Sequence, residues 1–471
     1  MKKIQIILVF YVYLFSNAAF SQGTDPFVGS WSGKLSFQGQ SLRMVFHINI
    51  DEEGRHKAKI DSPDQGAFGL PVQQCLIDSN SITLKLPNLM ASFEGVLTHQ
   101  DTIVGSWKQA GLAFDLILGR EEGKTARQSR PQEPKGEKPY STQEVIIHQP
   151  AGNFYLAGTL VIPEGKGPFP AAVLISGSGP QNRDEEIMGH KPFLVLADFL
   201  ARNGIMTLRY DDRGIGSSEG DFATATTFDF TDDALVAFDF LKNHNLADAN
   251  VCGMIGHSEG GMITQVAASR NNDIKFVVMM AAPGVPSDQL LLKQARLISE
   301  AQGASEREVR LTGESNKIIF SVLKNEQDQD KAREIIRAEL ISLSDSLTPD
   351  GSELESAMQQ QLLQSVDQLF SPWFLTFIRF TPEEFLAGMK CPVLAVNGSK
   401  DRQVAAAENL DAIEKILRSS GNDQVKIVLF EGLNHLFQTA ETGSPAEYAT
   451  IEETMAPQVM NTISDWINNL K

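Results

Sequence analysis

The sequence predicts an α/β protein: a doubly wound sheet interrupted by a helical insertion and preceded by a small all-β sandwich or barrel domain. Three observations carry this. From Tyr140 onward short apolar runs alternate with longer amphipathic stretches, as strands alternate with helices in a doubly wound sheet. From Thr24 to Arg120 apolar residues recur with a period near two, the spacing of short half-buried strands. Between Ser287 and Phe385 the strand pattern stops and helical pairs replace it. At 471 residues the chain exceeds one ordinary domain, and 42% hydrophobic content is enough for more than one core.

The N-terminus reads as an export signal over residues 1–21. Lys2 and Lys3 precede an apolar run from Ile6 to Phe15, and small residues follow at Ala18, Ala19 and Ser21. That run is too short to span a bilayer, which takes about 20 residues. The expectation is therefore an exported protein, periplasmic or secreted, with no stable membrane span after cleavage. Acidic residues outnumber basic ones, 59 to 41, so the chain has no general attraction for phosphate backbones and is not expected to bind nucleic acid. Three cysteines cannot form a disulfide framework.

In residues 24–120, Leu42, Met44, Phe46, Ile48 and Ile50 alternate with Arg43, Val45, His47 and Asn49, and Ile82, Leu84 and Leu86 repeat the period around Thr83 and Lys85. Turn-forming groups such as Asp51-Glu52-Glu53-Gly54 separate the runs. The tripeptides Gly29-Ser30-Trp31 and Gly105-Ser106-Trp107 are identical, and are expected to bring two aromatic rings into one core. Residues 121–139 hold no large apolar side chain before Tyr140 and read as a polar linker. The remainder, 140–471, reads as a catalytic domain. Strands are expected at Ala171–Ile175, Ile205–Tyr210, Val251–Ile255, Phe276–Met280, Val393–Val396 and Val425–Phe430. Helices are expected at Pro192–Asn203, Asp229–Asn243 and Gly261–Ser269, with a last one running from about Ile451. The insertion over residues 287–385 is far longer than a loop. Near its end lies the aromatic cluster of Trp373, Phe374 and Phe377.

Gly256-His257-Ser258-Glu259-Gly260 is a G-x-S-x-G pentapeptide directly after a predicted strand and before a predicted helix, the context of a nucleophile elbow. A serine hydroxyl is a weak nucleophile until a base takes its proton. Among 8 histidines, His435 follows the last predicted strand and is the candidate base. His257, next to the serine on a tight turn, points away from it and reads as a packing or hydrogen-bonding residue. A carboxylate must orient the imidazole, and Asp401 lies at the end of the preceding strand, with Glu431 in reserve. The oxyanion donors are expected from the Glu259 amide and, in the glycine-rich loop Ser176–Pro180, from the Ser178 amide. That loop lacks the lysine of a Walker motif and the G-x-G-x-x-G spacing, so a nucleotide site is not expected there.

These stretches, together with Gly177–Asp184, Arg209–Ser218, Gly398–Val404 and Gly432–His435, resemble the α/β-hydrolase superfamily over residues 140–471. More narrowly they look like lid-bearing bacterial carboxylesterases, relatives of serine aminopeptidase-like hydrolases. The resemblance implies a carboxylesterase with a Ser258, Asp401, His435 triad in the chain order of that superfamily, requiring no metal or organic cofactor. It implies that the insertion is a lid, in which Trp373, Phe374 and Phe377 either line a pocket for an apolar acyl group or only pack lid helices together. The substrate would then be a small-molecule ester. An aminopeptidase or amidase with the same triad would also need a carboxylate for the substrate amine, for which Glu185, Glu186 and lid acids are candidates. A binding protein with an inert hydrolase half is a third reading. Oligomeric state and the role of the β-domain are not legible in the sequence.

Overall fold

Two separate sheets divide the chain into two units, residues 1–125 and 126–471. The computed structural model describes residues 25–470 apart from 38–39, 52–53, 63–66, 87–90, 100, 110–111, 121–129, 348–365 and 367–368. The expected export signal and the first half of the expected linker lie outside the described residues.

The first unit is one antiparallel sheet of nine strands. They are β1 (Gly29–Phe37), β2 (Gln40–Ile50), β3 (His56–Ser62), β4 (Ala67–Pro71) and β5 (Gln74–Asp78), then β6 (Ser81–Leu86), β7 (Ala91–His99), β8 (Thr102–Gln109) and β9 (Leu112–Arg120). Their order is β4-β3-β2-β1-β9-β8-β7-β6-β5, so the first and last strands pair in the middle and the sheet curls into a half-barrel. The period-two residues Met44, Phe46, Ile48, Ile82, Leu84 and Leu86 all face its core. Trp31 and Trp107 lie in that same core, Trp107 edge-on to Phe46 at 6.1 Å. Both tryptophans are buried, so neither offers a face to a sugar.

The second unit holds an eight-stranded sheet. Its strands are β10 (Tyr140–Gln149), β11 (Phe154–Pro163), β12 (Phe169–Ile175), β13 (Met206–Tyr210), β14 (Ala247–His257), β15 (Val277–Met280), β16 (Val393–Gly398) and β17 (Val425–Phe430). In the order β10-β11-β13-β12-β14-β15-β16-β17, the first two run antiparallel and the other six are parallel. Every residue of β13, β15 and β16 is buried, because helices cover both faces. On one face lie α2 (Thr227–Lys242), α3 (Glu259–Arg270) and α9 (Ala406–Ser419); on the other lie α1 (Pro192–Arg202) and α10 (Pro457–Asn468). β12 is flanked by β13 on one side and β14 on the other. The loops after β12 and β14 therefore diverge at a switch point, where such sheets open a crevice at their carboxyl ends.

Helix ends explain the small shifts from the sequence expectation. α2 begins two residues early because Thr226 and Asp229 form a reciprocal capping box. α10 begins at Pro457 and not near Ile451. The preceding segment is held by Gln132, whose side chain accepts from the Thr454 and Met455 amides and donates to the Met455 carbonyl. Arg130 likewise donates to the carbonyls of Met188, Gly189, Ala449 and Ile451. Residues 130–139, expected as linker, thus begin with two side chains fastened to the second unit. The polar groups of Arg130 and Gln132 serve distant backbone groups.

Between β15 and β16 the insertion forms α4 (Ser287–Ala301), α5 (Glu306–Asn325), α6 (Gln329–Leu347), α7 (Pro372–Arg379) and α8 (Glu383–Leu386). It has its own small core around Phe320, Leu323, Ile336 and Leu375. A second cluster joins Leu290 of α4 and Phe377 of α7 to Met262 and Val266 of α3, so the insertion sits on the helix that follows Ser258.

Candidate active site

Ser258 occupies the turn between β14 and α3 with φ 54° and ψ −117°, a conformation that costs a non-glycine residue strain and projects its side chain off the sheet. Its amide donates to the Met280 carbonyl at 2.9 Å, tying the turn to the neighbouring strand end. The turn is possible only because its flanks lack side chains. A Cβ on Gly256 would lie 2.1 Å from the Gly260 carbonyl oxygen, and one on Gly260 would lie 2.1 Å from that of Ile175.

As the first residue of α3, Glu259 has no intrahelical acceptor for its amide, which leaves that N–H available at the turn. The loop after β12 passes close by: the Cβ position of Gly177 is 3.2 Å from the Ser258 Cβ. Ser178, exposed, is the next residue in that loop. Both segments expected to donate to an oxyanion therefore border Ser258.

Asp401 and His435 follow β16 and β17 and are both buried. The Asp401 Oδ1 accepts from the Gln403 and Val404 amides at 2.8 Å each, and its Oδ2 faces His435 Nδ1 at 2.8 Å. The His435 turn is held by Asn434, whose side-chain oxygen accepts from the Leu436 and Gln438 amides. Glu431, the reserve carboxylate, is exposed and belongs to no such arrangement.

The His257 ring makes two hydrogen bonds among the described residues, and neither involves the serine. Its Nδ1 faces Glu185 Oε1 at 2.8 Å and its Nε2 faces the His435 carbonyl at 3.0 Å. Burial works against the imidazolium, but the Glu185 charge and hydrogen bond, with the His435 carbonyl, outweigh it and raise the His257 pKa. Glu185 was considered at the sequence level only as an amine-binding group. It is instead buried against His257 and Gly177, and its positive φ of 52° gave no linear signal.

Three further carboxyl groups crowd behind the loop. Asp212, Asp233 and Glu259 line one small cavity with Ser176 and Gly177. Burial pushes Asp212 up to about 8; the Gln181 amide and Ser176 hydroxyl oppose this, while the charges of Glu259 and Asp233 add to it. Burial also raises Glu259, against hydrogen bonds from Thr227 Oγ1 and Trp373 Nε1 at 2.7 and 2.8 Å. The Asp-Arg-Gly segment is architectural: Arg213 pairs with Asp233 at 2.7 Å, and the Asp211 carboxylate binds Arg183 and the Ser217 amide.

The three insertion aromatics are not equivalent. Phe374 packs against Phe320 among the insertion helices, and Phe377 is buried against α3. Trp373 stacks near Phe377 at 5.1 Å and uses its indole N–H on Glu259. Among the described residues no group of three or more His, Cys, Asp or Glu is placed to hold a metal ion.

Residues 191–441, more than half of the chain, match the family described as serine aminopeptidase, S33. The chain belongs to that family. Its second unit has the α/β-hydrolase fold. The esterase EstD of Thermotoga maritima is 28% identical over 313 residues, covering 66% of this chain and 65% of the relative, just under two thirds of the latter. Among solved structures, the Pyrococcus furiosus esterase Pf2001 is 14% identical with a TM-score of 0.42, covering 73% of this chain and 97% of that one. Est1E from Butyrivibrio proteoclasticus is 16% identical with a TM-score of 0.39, covering 69% and 98%. The S33 family match begins at residue 191, so it leaves the N-terminal half-barrel without an assigned role.

Proposed function

We propose that this S33 family member is a serine hydrolase that cleaves carboxylic esters through an acyl-enzyme intermediate. The observation that carries the reading is the buried Asp401–His435 pair on the loops after β16 and β17, in the same unit as a strained Ser258 at an elbow. With Nδ1–H held by Asp401, the His435 Nε2 is left as the proton acceptor. In the cycle, His435 takes the Ser258 proton as the hydroxyl attacks the ester carbonyl. The Ser178 and Glu259 amides receive the developing oxyanion. The alcohol departs with the proton from His435, and water repeats the sequence on the acyl-enzyme.

Likeness to an esterase supports ester over amide chemistry. The surroundings of Glu185 remove one candidate for binding a substrate amine, because that carboxylate is buried and committed to His257 and Gly177. We further propose that residues 287–385 act as a lid, that Trp373 and its neighbours favour an ester with an apolar acyl group, and that the chain is exported by its N-terminal segment.

Fluorophosphonate treatment with peptide mapping, followed by p-nitrophenyl ester and aminoacyl p-nitroanilide assays, tests the reading. An adduct on Ser258 with ester turnover is expected. No adduct on folded protein would end the serine-hydrolase reading, and anilide turnover without ester turnover would transfer it to the aminopeptidases.

A further inference from the structure

We propose that Glu185 and His257 form a positioning pair that locks three loops of the site into one arrangement; this rests on the serine-hydrolase reading above. One oxygen, Glu185 Oε1, accepts from both the Gly177 amide and His257 Nδ1 at 2.8 Å. His257 passes the connection on, donating from Nε2 to the backbone carbonyl of His435 at 3.0 Å. A single carboxylate thus joins the oxyanion loop, the elbow and the loop carrying the base.

Each link touches a residue adjacent to a reacting group. Gly177 precedes Ser178, His257 precedes Ser258, and the third link is to His435 itself. The imidazoles of His257 and His435 lie 4.7 Å apart between centroids, inclined at 45°, and the Phe437 ring lies 6.3 Å from that of His257 at 61°. Fixing the carbonyl and the ring face of His435 removes freedom in the direction that would swing Nε2 away from Ser258.

The chemistry of the contacts assigns the protonation state. Both ring nitrogens of His257 face acceptors, so both must donate, and only the imidazolium does that. The charged groups around this cation are Glu185 in contact with it and Asp401 beyond His435. His435 therefore works beside a fixed positive ring whose charge Glu185 offsets.

A buried ion pair contributes little net stability, since desolvation consumes most of the attraction. Holding loops in register is a better account of why a carboxylate is kept here in a left-handed backbone conformation, φ 52°. The pair touches no substrate, so it acts only through the groups that it places.

Glu185→Gln and His257→Gln, each in the full chain, test this. Wild-type protein is first shown to be labelled at Ser258 and to turn over a p-nitrophenyl ester; failure there removes the underlying reading whatever Glu185 does. Given that, each variant should lose about 10- to 100-fold in kcat with KM within about twofold and the melting temperature within a few degrees. The double variant should be no worse than the worse single variant: without the Glu185 charge His257 reverts to a neutral ring that donates only once, so either change breaks the same connection. Glu185→Gln with kcat within twofold of wild type would overturn the proposal. So would a variant that melts far lower yet keeps its kcat per folded molecule, since that is the signature of a merely structural pair.

Discussion

Asp401→Asn offers the sharpest test of how the site is wired. In the native protein Oδ1 accepts two backbone N–H groups, from Gln403 and Val404, at 2.8 Å each, while Oδ2 faces His435 Nδ1 at 2.8 Å. An asparagine must place its oxygen at one of these positions and its NH2 at the other. Pointing the NH2 at the two amides would set three donors against one another with no acceptor, in a position that is 3% exposed. Two hydrogen bonds outweigh one, so the oxygen stays on the amides and the NH2 turns to His435. Nδ1 must then become the acceptor, and the ring proton moves to Nε2, the nitrogen proposed to receive the Ser258 proton. The fold should survive, because the variant is isosteric and its backbone contacts are kept. Wrong-tautomer substitutions of this kind in serine hydrolases cost roughly 10⁴ in kcat, about 5 kcal/mol at 1.36 kcal/mol per decade. The assay is p-nitrophenyl ester turnover at saturating substrate, with circular dichroism as the check on folding. A folded Asp401→Asn protein with more than a tenth of wild-type kcat would refute the argument, and the orienting carboxylate would have to be sought elsewhere.

Four other outcomes are expected. Trp373→Phe keeps a ring in place but removes the N–H that reaches Glu259, leaving Thr227 as the remaining side-chain donor to that buried carboxyl group; urea melts should show a loss of about 1–2 kcal/mol, and a loss below about 0.3 kcal/mol would mean that the bond contributes nothing. His190 is fully buried, and burial holds its pKa down to about 4 against a usual value near 6.5. Between those values the unfolded state binds the extra proton, so this contribution is present above pH 6.5 and is lost as pH falls toward 4. The loss amounts to about 3 kcal/mol, and a His190→Gln variant whose stability falls as steeply as wild type over that range would count against it. Gly256→Ala puts a methyl group 2.1 Å from the Gly260 carbonyl oxygen and should abolish turnover and soluble expression together, so an active Gly256→Ala enzyme would show that the turn can relax. Phe46→Ala, in the half-barrel core against Phe93 and Trp107, should destabilise that unit by about 3–5 kcal/mol without altering kcat. Tryptophan fluorescence melts and an activity assay on the same sample would expose any coupling to catalysis.

Much of this was legible because linear patterns abut strand ends. The elbow glycines, Asp401 and His435 could each be read from a few consecutive residues and a preceding apolar run, and the fold delivers each to a carboxyl strand end. The period-two alternation likewise announced the first unit, though not that its strands join in a single curled sheet. The beginning of the last helix was misplaced because apolar spacing continues upstream of Pro457, where a side chain from Gln132, over 300 residues earlier in the chain, holds the backbone. Arg130 and Gln132 looked like solvated linker for the same reason: a polar residue that serves distant carbonyls has no local signature.

The sequence by itself determined which strand ends carry the proposed site, since a strained serine turn needs glycines at fixed spacing and the proposed base and acid need only follow their strands. Only the tertiary structure decided what surrounds them. Glu185 lies 72 residues from His257, and His257 lies 178 from His435. No periodicity or spacing connects residues so far apart. They meet because β12, β14 and β17 run parallel in one sheet, so the loops that carry these residues leave it at the same carboxyl edge.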